Sequence, residues 1–412
     1  MATPSRFDFK GSTRLSSSIS EPTSGGLFDG IYGDAAVDAA TSDHAWVQAM
    51  LDVEAALAFA AARVGLIPLA AASAISEVCH VELVDMAEIA RGAVADATPV
   101  PALVRSLRDL VPERARSSVH FGATSQDVLD TAMCVMSKRA VAHIAASASN
   151  VVRALASLAL RHRSTHQVGR TLLQHASVTT FGAACAGRLV ALDDALLGLS
   201  SVCDNQLAVQ LGGAVGTLSA AGDSALELLT EFALLLELPE PVVPWHTSRG
   251  RFASLASALG VLAGELAAVA QDLVLLSSNE IGEVSLAAPG GSSAMAHKRN
   301  PAAAVLALAC AHRVPGLVAT VFAGMPQELQ RSAGRWQAEW GTLRNELRLV
   351  GGTALHTFNA VQGLHVHEDA MAKHVDELLA ATGGAGDDIG SATVFVDRAL
   401  EAHSRRTDAT GS

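Results

Sequence analysis

Residues 252–276, with the sequence FASLASALGVLAGELAAVAQDLVLL, contain a long run of regularly spaced apolar residues. The spacing alternates between three and four, which is the spacing of residues on one face of an α-helix. The run therefore predicts a helix over residues 252–280, about 43 Å long at about 1.5 Å per residue. The apolar positions of this face are Phe252, Leu255, Leu259, Leu262, Leu266, Val269, Leu273 and Leu276.

The same spacing occurs in two other segments, 46–64 and 185–203. Thr41 and Ser42 precede the first of them as candidate helix caps. Helices with sustained spacing of this kind pack lengthwise in a bundle. Residues 252–276 also carry apolar side chains outside the regular face, so the bundle either has many helices or is shared between subunits. These additional side chains are Val261, Val274 and Leu275.

The composition narrows the class of protein. The chain has 412 residues, of which 50% are hydrophobic and only 4% aromatic. Abundant Ala and Leu with few aromatic residues favour helix over sheet. The net charge of −12 argues against nucleic-acid binding, which needs a basic surface. An acidic chain can still bind a small anion if its Lys and Arg are gathered at one site.

The cysteines and the absence of targeting features indicate a cytoplasmic protein. The five cysteines form no CxxC pair and no metal-type spacing, so we expect reduced core residues. No uncharged apolar run reaches the length of about 18 residues that a membrane span needs. The Ser/Thr-rich residues 1–27 lack the apolar core of a secretory signal, and we expect a disordered tail there.

Residues 290–301, GGSSAMAHKRNP, concentrate polar and cationic side chains beside two glycines. Gly290 and Gly291 provide hinge freedom, Lys298 a point charge for a carboxylate, and Asn300 an amide that can donate to one. These properties predict a mobile loop that closes over an anion. The alternative is a plain surface loop before a helix that begins at Pro301.

Residues 124–127, TSQD, precede a helical pattern. Hydroxyls and free N–H groups at a helix start can bind an anion. A plain helix cap, with Asp127 in the first turn, explains the same residues equally well.

Residues 169–176, GRTLLQHA, contain another polar group of side chains. Thr171 and His175 are four residues apart and would share a face if the segment were helical. A lone histidine is more often structural than catalytic, so His175 is a candidate only. His162 and His166 are also four residues apart, but no third ligand follows at a suitable spacing, and we predict no metal site.

The loop 290–301 resembles the signature GSSxMPxKxNP of the fumarase/aspartase superfamily, and TSQD and GRTxxQ precede it in the expected order. The resemblance covers most of residues 28–360. It implies an all-α homotetramer with a central helical bundle, active sites built from several subunits, and no metal or organic cofactor.

The resemblance also implies a division of the chain. It predicts an N-terminal helical domain over residues 28–112, a central helical bundle over residues 113–355 and a C-terminal region over residues 356–412. The last is shortened, because two helices typical of the superfamily's small C-terminal domain are separated only by the residues AGDD.

Site residues are carried over position by position. Ser292 matches the superfamily's catalytic serine, and Lys298 and Asn300 match residues that hold a substrate carboxylate. The implied catalytic residues are Ser292, His175 and Lys298. The implied substrate-binding residues are Thr124, Ser125, Gln126, Thr171, Gln174 and Asn300, with His120 and Arg331 as weaker candidates.

Several segments, among them HFGATSQDVLDTA and GRWQAEW, are similar to the superfamily's carboxymuconate cycloisomerase branch. That similarity implies lactonisation of a tricarboxylate in aromatic catabolism. Leu172 stands where the superfamily's C–N lyases usually have a histidine, which supports this branch. The alternatives are an adenylosuccinate- or argininosuccinate-type lyase that releases fumarate, and a weakened homologue with a structural role. Ala296, in place of the signature proline, and the shortened C-terminal region are compatible with the last.

Overall fold

The computed structural model describes residues 27–291, Met295 and residues 298–410. Two residues singled out above, Ser292 and Ala296, lie outside these described residues. Most of the described chain is α-helical, and its strands form two small two-stranded antiparallel sheets. The predicted all-α class is confirmed.

The described chain before residue 125 forms one long helix, α3, and several short ones. They are α1 (Asp29–Tyr32), α2 (Ala35–Ala40), α3 (Asp43–Arg63), α4 (Leu69–Ser76), α5 (Met86–Ala95) and α6 (Val100–Leu110), with 3₁₀ turns at Val81–Leu83 and Glu113–Ser118.

The long helices of the bundle follow, and a hairpin and short strands lie between them. The elements are α7 (Ser125–Arg161), β1 (His166–Thr171), β2 (Gln174–Thr180), α8 (Phe181–Asn205), α9 (Ala225–Leu236), α10 (Gly250–Leu276), β3 (Val284–Ser285), α11 (Ala302–Ala311), α12 (Val314–Gly324) and α13 (Arg335–Val361). A 3₁₀ turn spans Ser219–Ser224.

The C-terminal region contains one short strand and two helices. It consists of β4 (His365–Val366), α14 (Glu368–Thr382) and α15 (Ala392–Thr410), and the AGDD residues lie in the link between the two helices. Helix α15 packs back on α8, where His403 Nδ1 lies 2.9 Å from a carboxylate oxygen of Asp193 and Arg406 donates to Asp194 at 2.6 Å.

The three helices predicted from apolar spacing are present as α3, α8 and α10. Ser42 caps α3, because its hydroxyl accepts a hydrogen bond from the Ala45 N–H at 3.1 Å. Helix α10 ends at Leu276, four residues before the predicted end, and its regular apolar face is buried from Phe252 to Leu273. Residues on one face of a helix share one environment, so local spacing was enough to locate all three.

Helices α7, α10 and α13 begin at the same end of the bundle. Arg249, just before α10, donates to Asp130 near the start of α7 at 2.7 Å and to Glu339 near the start of α13 at 2.6 Å. We call this the first end.

The same three helices also finish together, at what we call the second end. Leu158 of α7, Leu273 of α10 and Val361 of α13 line one small cavity there. Helices α8 and α11–α12 run in the opposite direction between the ends. Helix α7 has 37 residues, so the ends lie about 55 Å apart at about 1.5 Å per residue.

The five cysteines are buried and unpaired, which confirms the prediction of reduced core residues. Burial raises the pKa of the Cys203 and Cys310 thiols to about 11. Both therefore stay protonated at neutral pH.

Four helical segments of the described chain are long and apolar enough to cross a membrane by length and composition. Three of them, α3, α7 and α10, direct a large part of that surface into the bundle. The segment Ala302–Gly324, which comprises α11 and α12, differs because only 28% of its most apolar window is buried within this chain. It therefore leaves an apolar surface on the outside of this chain.

The segment GRTLLQHA forms a β-hairpin, so a helical arrangement of Thr171 and His175 is wrong. Arg170 pairs with His175 and Thr171 pairs with Gln174 across the two strands. Leu172 and Leu173 form the two-residue turn with φ values of 51° and 64°. Left-handed conformations at both turn positions match the twist of a tight hairpin, and neither leucine is a residue that sequence rules associate with such a turn.

Glu346 of α13 is buried, and neither of its carboxylate oxygens has a hydrogen-bond partner among the described residues. Burial raises the pKa of this carboxyl to about 8. The folded protein therefore binds a proton that the unfolded chain, with a glutamate pKa of about 4.3, releases at lower pH. Stability is lost as the pH rises from the unfolded pKa to the folded one.

We expect Glu346→Gln to raise the melting temperature, and to raise it more at pH 8 than at pH 5. The amide has nearly the same shape but does not ionise, so the free-energy cost of keeping the buried site protonated disappears. Thermal unfolding at several pH values measures the effect, with exposed Glu227→Gln as the control. An equal shift at both pH values would show that Glu346 does not titrate in this range.

Candidate active site

The TSQD segment lies at the first end, where α7 begins. The Asp127 carboxylate is buried and accepts hydrogen bonds from the backbone N–H groups of Thr124, Gly212 and Gly213 at 2.8–3.0 Å. His246 Nε2 lies 2.6 Å from the same carboxylate. Asp127 therefore caps the start of α7 through the Thr124 N–H. It also joins this helix to two distant segments, which contain Gly212–Gly213 and His246.

Gln126 and Arg331, both candidates from the sequence, contact each other. The buried Gln126 side chain donates to Asp130 at 3.0 Å and to the His246 carbonyl at 2.7 Å. Its amide oxygen accepts from Arg331 at 3.0 Å, and Arg331 also donates to the carbonyls of Gly213 and Ala214. Gln126 therefore positions Arg331, whose partial burial lowers the pKa of its guanidinium against the opposing effect of nearby carboxylates.

The glycine-rich segment beside these residues allows close packing of backbone. Gly213 has φ 68°, and a Cβ there would lie 2.8 Å from the Gly122 carbonyl oxygen. The glycines of the segment QLGGAVGTL therefore let two backbone segments approach each other closely. Thr124 and Ser125 lie next to it, half-buried.

Arg249 is enclosed within the bundle. Its side chain is fully buried between Asp130 and Glu339, and Trp336 also donates to Asp130 at 2.9 Å. The role of Arg249 is to hold the helices together.

The candidate residues of the hairpin lie at the second end. Thr171, Gln174 and His175 are exposed, and Leu172 at the turn is 97% exposed. Nothing in the described part of this chain covers the turn.

Strand β1 of the hairpin is attached to a buried carboxylate that sequence reasoning missed, Glu283. Arg170 donates to both oxygens of Glu283 at 2.6 and 3.2 Å, and Gln167 donates at 2.8 Å. His374 of α14 lies 2.8 Å from the same carboxylate, and its ring centroid is 6.3 Å from that of His175. Burial raises the pKa of Glu283, but these hydrogen bonds and the charge of Arg170 lower it by more. The pKa is therefore below its ordinary value, and the carboxylate stays ionised.

The signature loop also leaves the second end. The backbones of Gly290 and Asn300 pair at 2.9 and 3.0 Å, and Asn300 Nδ2 donates to the Gly291 carbonyl at 3.2 Å. Lys298 is exposed and lines a cavity of about 760 Å³ together with Asn300, Ser285 and His367. These hydrogen bonds join the two ends of the loop. Its candidate catalytic serine, Ser292, lies outside the described residues.

One chain does not bring the candidate residues together. The first-end candidates are His120, Thr124, Ser125, Gln126 and Arg331. The second-end candidates are Thr171, Gln174, His175, Lys298 and Asn300. The length of α7 separates the two groups. Within the described residues, no group of three or more His, Cys, Asp or Glu side chains is arranged to hold a metal ion.

We expect Glu283→Ala to destabilise the fold by about 3–5 kcal/mol, because it leaves the largely buried Arg170 without its counter-charge. Denaturant unfolding measures the loss. Glu280→Ala, an exposed site in the same loop, is the matched control and should change stability by less than about 0.5 kcal/mol. Equal effects of the two substitutions would contradict the anchoring role of Glu283.

Comparison with known proteins agrees with the sequence resemblance. A family model described as a lyase matches residues 32–316. The 3-carboxy-cis,cis-muconate cycloisomerase of Pseudomonas aeruginosa is 40% identical over 355 residues, which are 85% of this chain and 77% of that enzyme. Nitrosuccinate lyase of Streptomyces davaonensis is 38% identical over 88% of this chain and 79% of its own length.

Solved structures show the same relationship. The crystal structure of 3-carboxy-cis,cis-muconate lactonizing enzyme from Pseudomonas putida superposes with a TM-score of 0.86 at 33% identity, covering 92% of this chain and 99% of that one. Sequence signature, family match and fold therefore agree. The chain belongs to the lyase family of the fumarase/aspartase superfamily.

Proposed function

We propose that this protein is a cycloisomerase that converts 3-carboxy-cis,cis-muconate to a carboxymuconolactone in protocatechuate breakdown. One structural observation supports the proposal independently of the similarity to known enzymes. In a chain of net charge −12, both ends of the bundle present cations beside hydroxyl or amide donors. Such pairs suit a substrate with three carboxylates.

The reaction adds a carboxylate oxygen to a conjugated double bond, while a proton arrives at the carbon next to another carboxylate. In the reverse direction, removal of that proton gives a dianionic intermediate. Hydrogen-bond donors placed around this charge stabilise it, and each typically contributes about 3 kcal/mol. Proton transfer and carboxylate binding suffice for this chemistry, so the proposal includes no metal or organic cofactor.

We assign the proton transfer to Ser292, with Lys298 and Asn300 holding a carboxylate and His175 as a further catalytic residue at the second end. At the first end, Arg331 supplies a second cation, and Thr124, Ser125 and the other first-end candidates supply the donors around it. Because Gln126 uses its polar atoms within the protein, its part in this scheme is to hold Arg331.

A complete site then needs residues from different subunits, and we propose a homotetramer with shared sites. Antiparallel packing of two bundles would place the first end of one copy beside the second end of another. The apolar surface of α11–α12 suits burial between copies, since large exposed apolar patches mark interaction sites. The hairpin turn, with Leu172 and Leu173 exposed, is also available to a neighbouring copy.

Within this proposal, Leu172 can contact substrate only in such an assembly. An aliphatic side chain can pack against the diene and exclude water, but in this chain the Leu172 side chain is almost fully exposed. A neighbouring copy would have to place it against substrate. We further propose a cytoplasmic protein that acts on a small molecule and binds neither nucleic acid nor membrane.

An absorbance assay tests the proposed activity. We expect loss of the diene signal of 3-carboxy-cis,cis-muconate, and no fumarate release from adenylosuccinate or argininosuccinate. Ser292→Ala should abolish the turnover while substrate still binds, because the hydroxyl acts in proton transfer. Fumarate release faster than muconate turnover would reject the proposal in favour of a C–N lyase.

Because nitrosuccinate lyase is also similar, nitrosuccinate belongs among the substrates tested. Activity on none of them would favour the structural homologue.

Mixed oligomers test the shared site. Arg331→Ala disables the first end and Lys298→Ala the second, so each variant should be nearly inactive. When the two variants are co-expressed in equal amounts, about a quarter of the sites should combine two intact ends and recover turnover. Recovery no greater than the sum of the two variants would place each site within one chain.

Light scattering that shows a stable monomer at micromolar concentration would reject the assembly itself.

A further inference from the structure

The buried carboxylate of Glu54 on α3 lies at the first end but belongs to none of the motifs. Its side chain is fully buried, and Oε1 lies 2.6 Å from His120 Nδ1. Its other oxygen, Oε2, has no hydrogen-bond partner among the described residues. A buried carboxylate with a single polar partner is stabilised best when that partner is a cation. The environment of Glu54 therefore favours a protonated His120.

His120 itself is held in an unusual conformation. Its φ is 61°, in the left-handed region that a residue with a side chain adopts at a cost in free energy. Such strain persists where the surroundings impose it, and it is common at functional sites. The side chain is 15% exposed. Because Nδ1 contacts Glu54, Nε2 is the ring nitrogen left for a ligand.

The charged groups around His120 come from three helices. They are Glu54 of α3, Asp127 of α7 and Arg108 of α6. Burial lowers the pKa of His120 and so does Arg108, but the charge and hydrogen bond of Glu54, with the charge of Asp127, outweigh them and raise it. The imidazolium consequently persists to a higher pH than that of an ordinary histidine.

His120 also lies close to the other first-end cation. Arg331 donates to the Gly213 carbonyl, and Gly213 packs against Gly122, two residues after His120. The two cations thus flank the same glycine contact beside Thr124. A substrate with several carboxylates could engage both.

We propose that Glu54 is a positioning residue that holds His120 as an imidazolium, whose Nε2–H binds a carboxylate of the substrate. Glu54 fixes the ring through Nδ1 and supplies the negative charge that keeps the second nitrogen protonated. The carboxylate ligand rests on the proposed function, whereas the ion pair can be measured without any substrate.

NMR titration of the free protein tests the ion pair. The His120 signal is identified as the one that disappears in His120→Gln. We expect it to titrate above the ordinary histidine value of about 6.5, and to titrate at lower pH in Glu54→Gln. Glutamine keeps an oxygen that can accept from Nδ1–H but carries no charge. Asp52→Asn, which removes a carboxylate from the same helix and its ion pair with Arg139, is the matched control and should leave the titration unchanged.

Kinetics test the link to substrate. We expect Glu54→Gln to raise KM about tenfold near neutral pH, the effect of losing a charged hydrogen bond, with a smaller change in kcat. The alkaline limb of kcat/KM should move to lower pH, so that activity recovers as the solution is acidified. His120→Gln should raise KM similarly, and the double variant should be no worse than His120→Gln.

The outcomes separate the two proposals. A His120 titration that does not respond to Glu54→Gln overturns the inference, whatever the enzyme does. A shifted titration with an unchanged KM in an active enzyme overturns the role in substrate binding. A shifted titration in a protein without cycloisomerase activity supports the ion pair and rejects only the proposed function.

Discussion

The bundle is organised around one buried guanidinium, that of Arg249. It is enclosed by the carboxylates of Asp130 and Glu339 and stands 5.0 Å from the centre of the Phe252 ring. Breaking a buried ion pair on one side leaves an uncompensated charge, at a typical cost of about 3–5 kcal/mol. The three charges lie near the starts of α7, α10 and α13, so this interaction fixes how far each helix is shifted along its axis relative to the others. Apolar packing alone is compatible with several such registers.

The same network reaches the candidate site. Asp130 binds Arg249 and also accepts from Gln126, whose amide oxygen holds Arg331. Gln126 of the TSQD motif therefore connects the ion pairs of Arg249 with Arg331, a candidate substrate-binding residue. The capping and anion-site interpretations are compatible for this reason, since Asp127 serves the fold while Thr124 and Ser125 remain half-exposed. At the second end, the Glu283 carboxylate has a similar role, because it joins the hairpin to α14.

The distance between the ends limits what one chain can do alone. Parallel alignment of α7, α10 and α13 places the two groups of polar residues at opposite ends of a helix of 37 residues. No side-chain movement spans about 55 Å, so chemistry that needs both groups requires more than one chain. The apolar α11–α12 surface and the uncovered hairpin turn are the features that a neighbouring copy could bury.

The amino-acid sequence by itself determined the all-α class, the places of α3, α8 and α10, the buried cysteines and the family, because helical periodicity and a contiguous signature are local properties. Tertiary structure decided the rest. The GRTLLQHA segment became a hairpin because cross-strand pairing and a left-handed Leu172–Leu173 turn prevailed over a four-residue spacing. The partners of His120, Arg249 and His374 lie 66, 119 and 91 residues away in sequence. A charge buried by folding takes whichever opposite charge the packing brings near, and no spacing within one sequence records that choice.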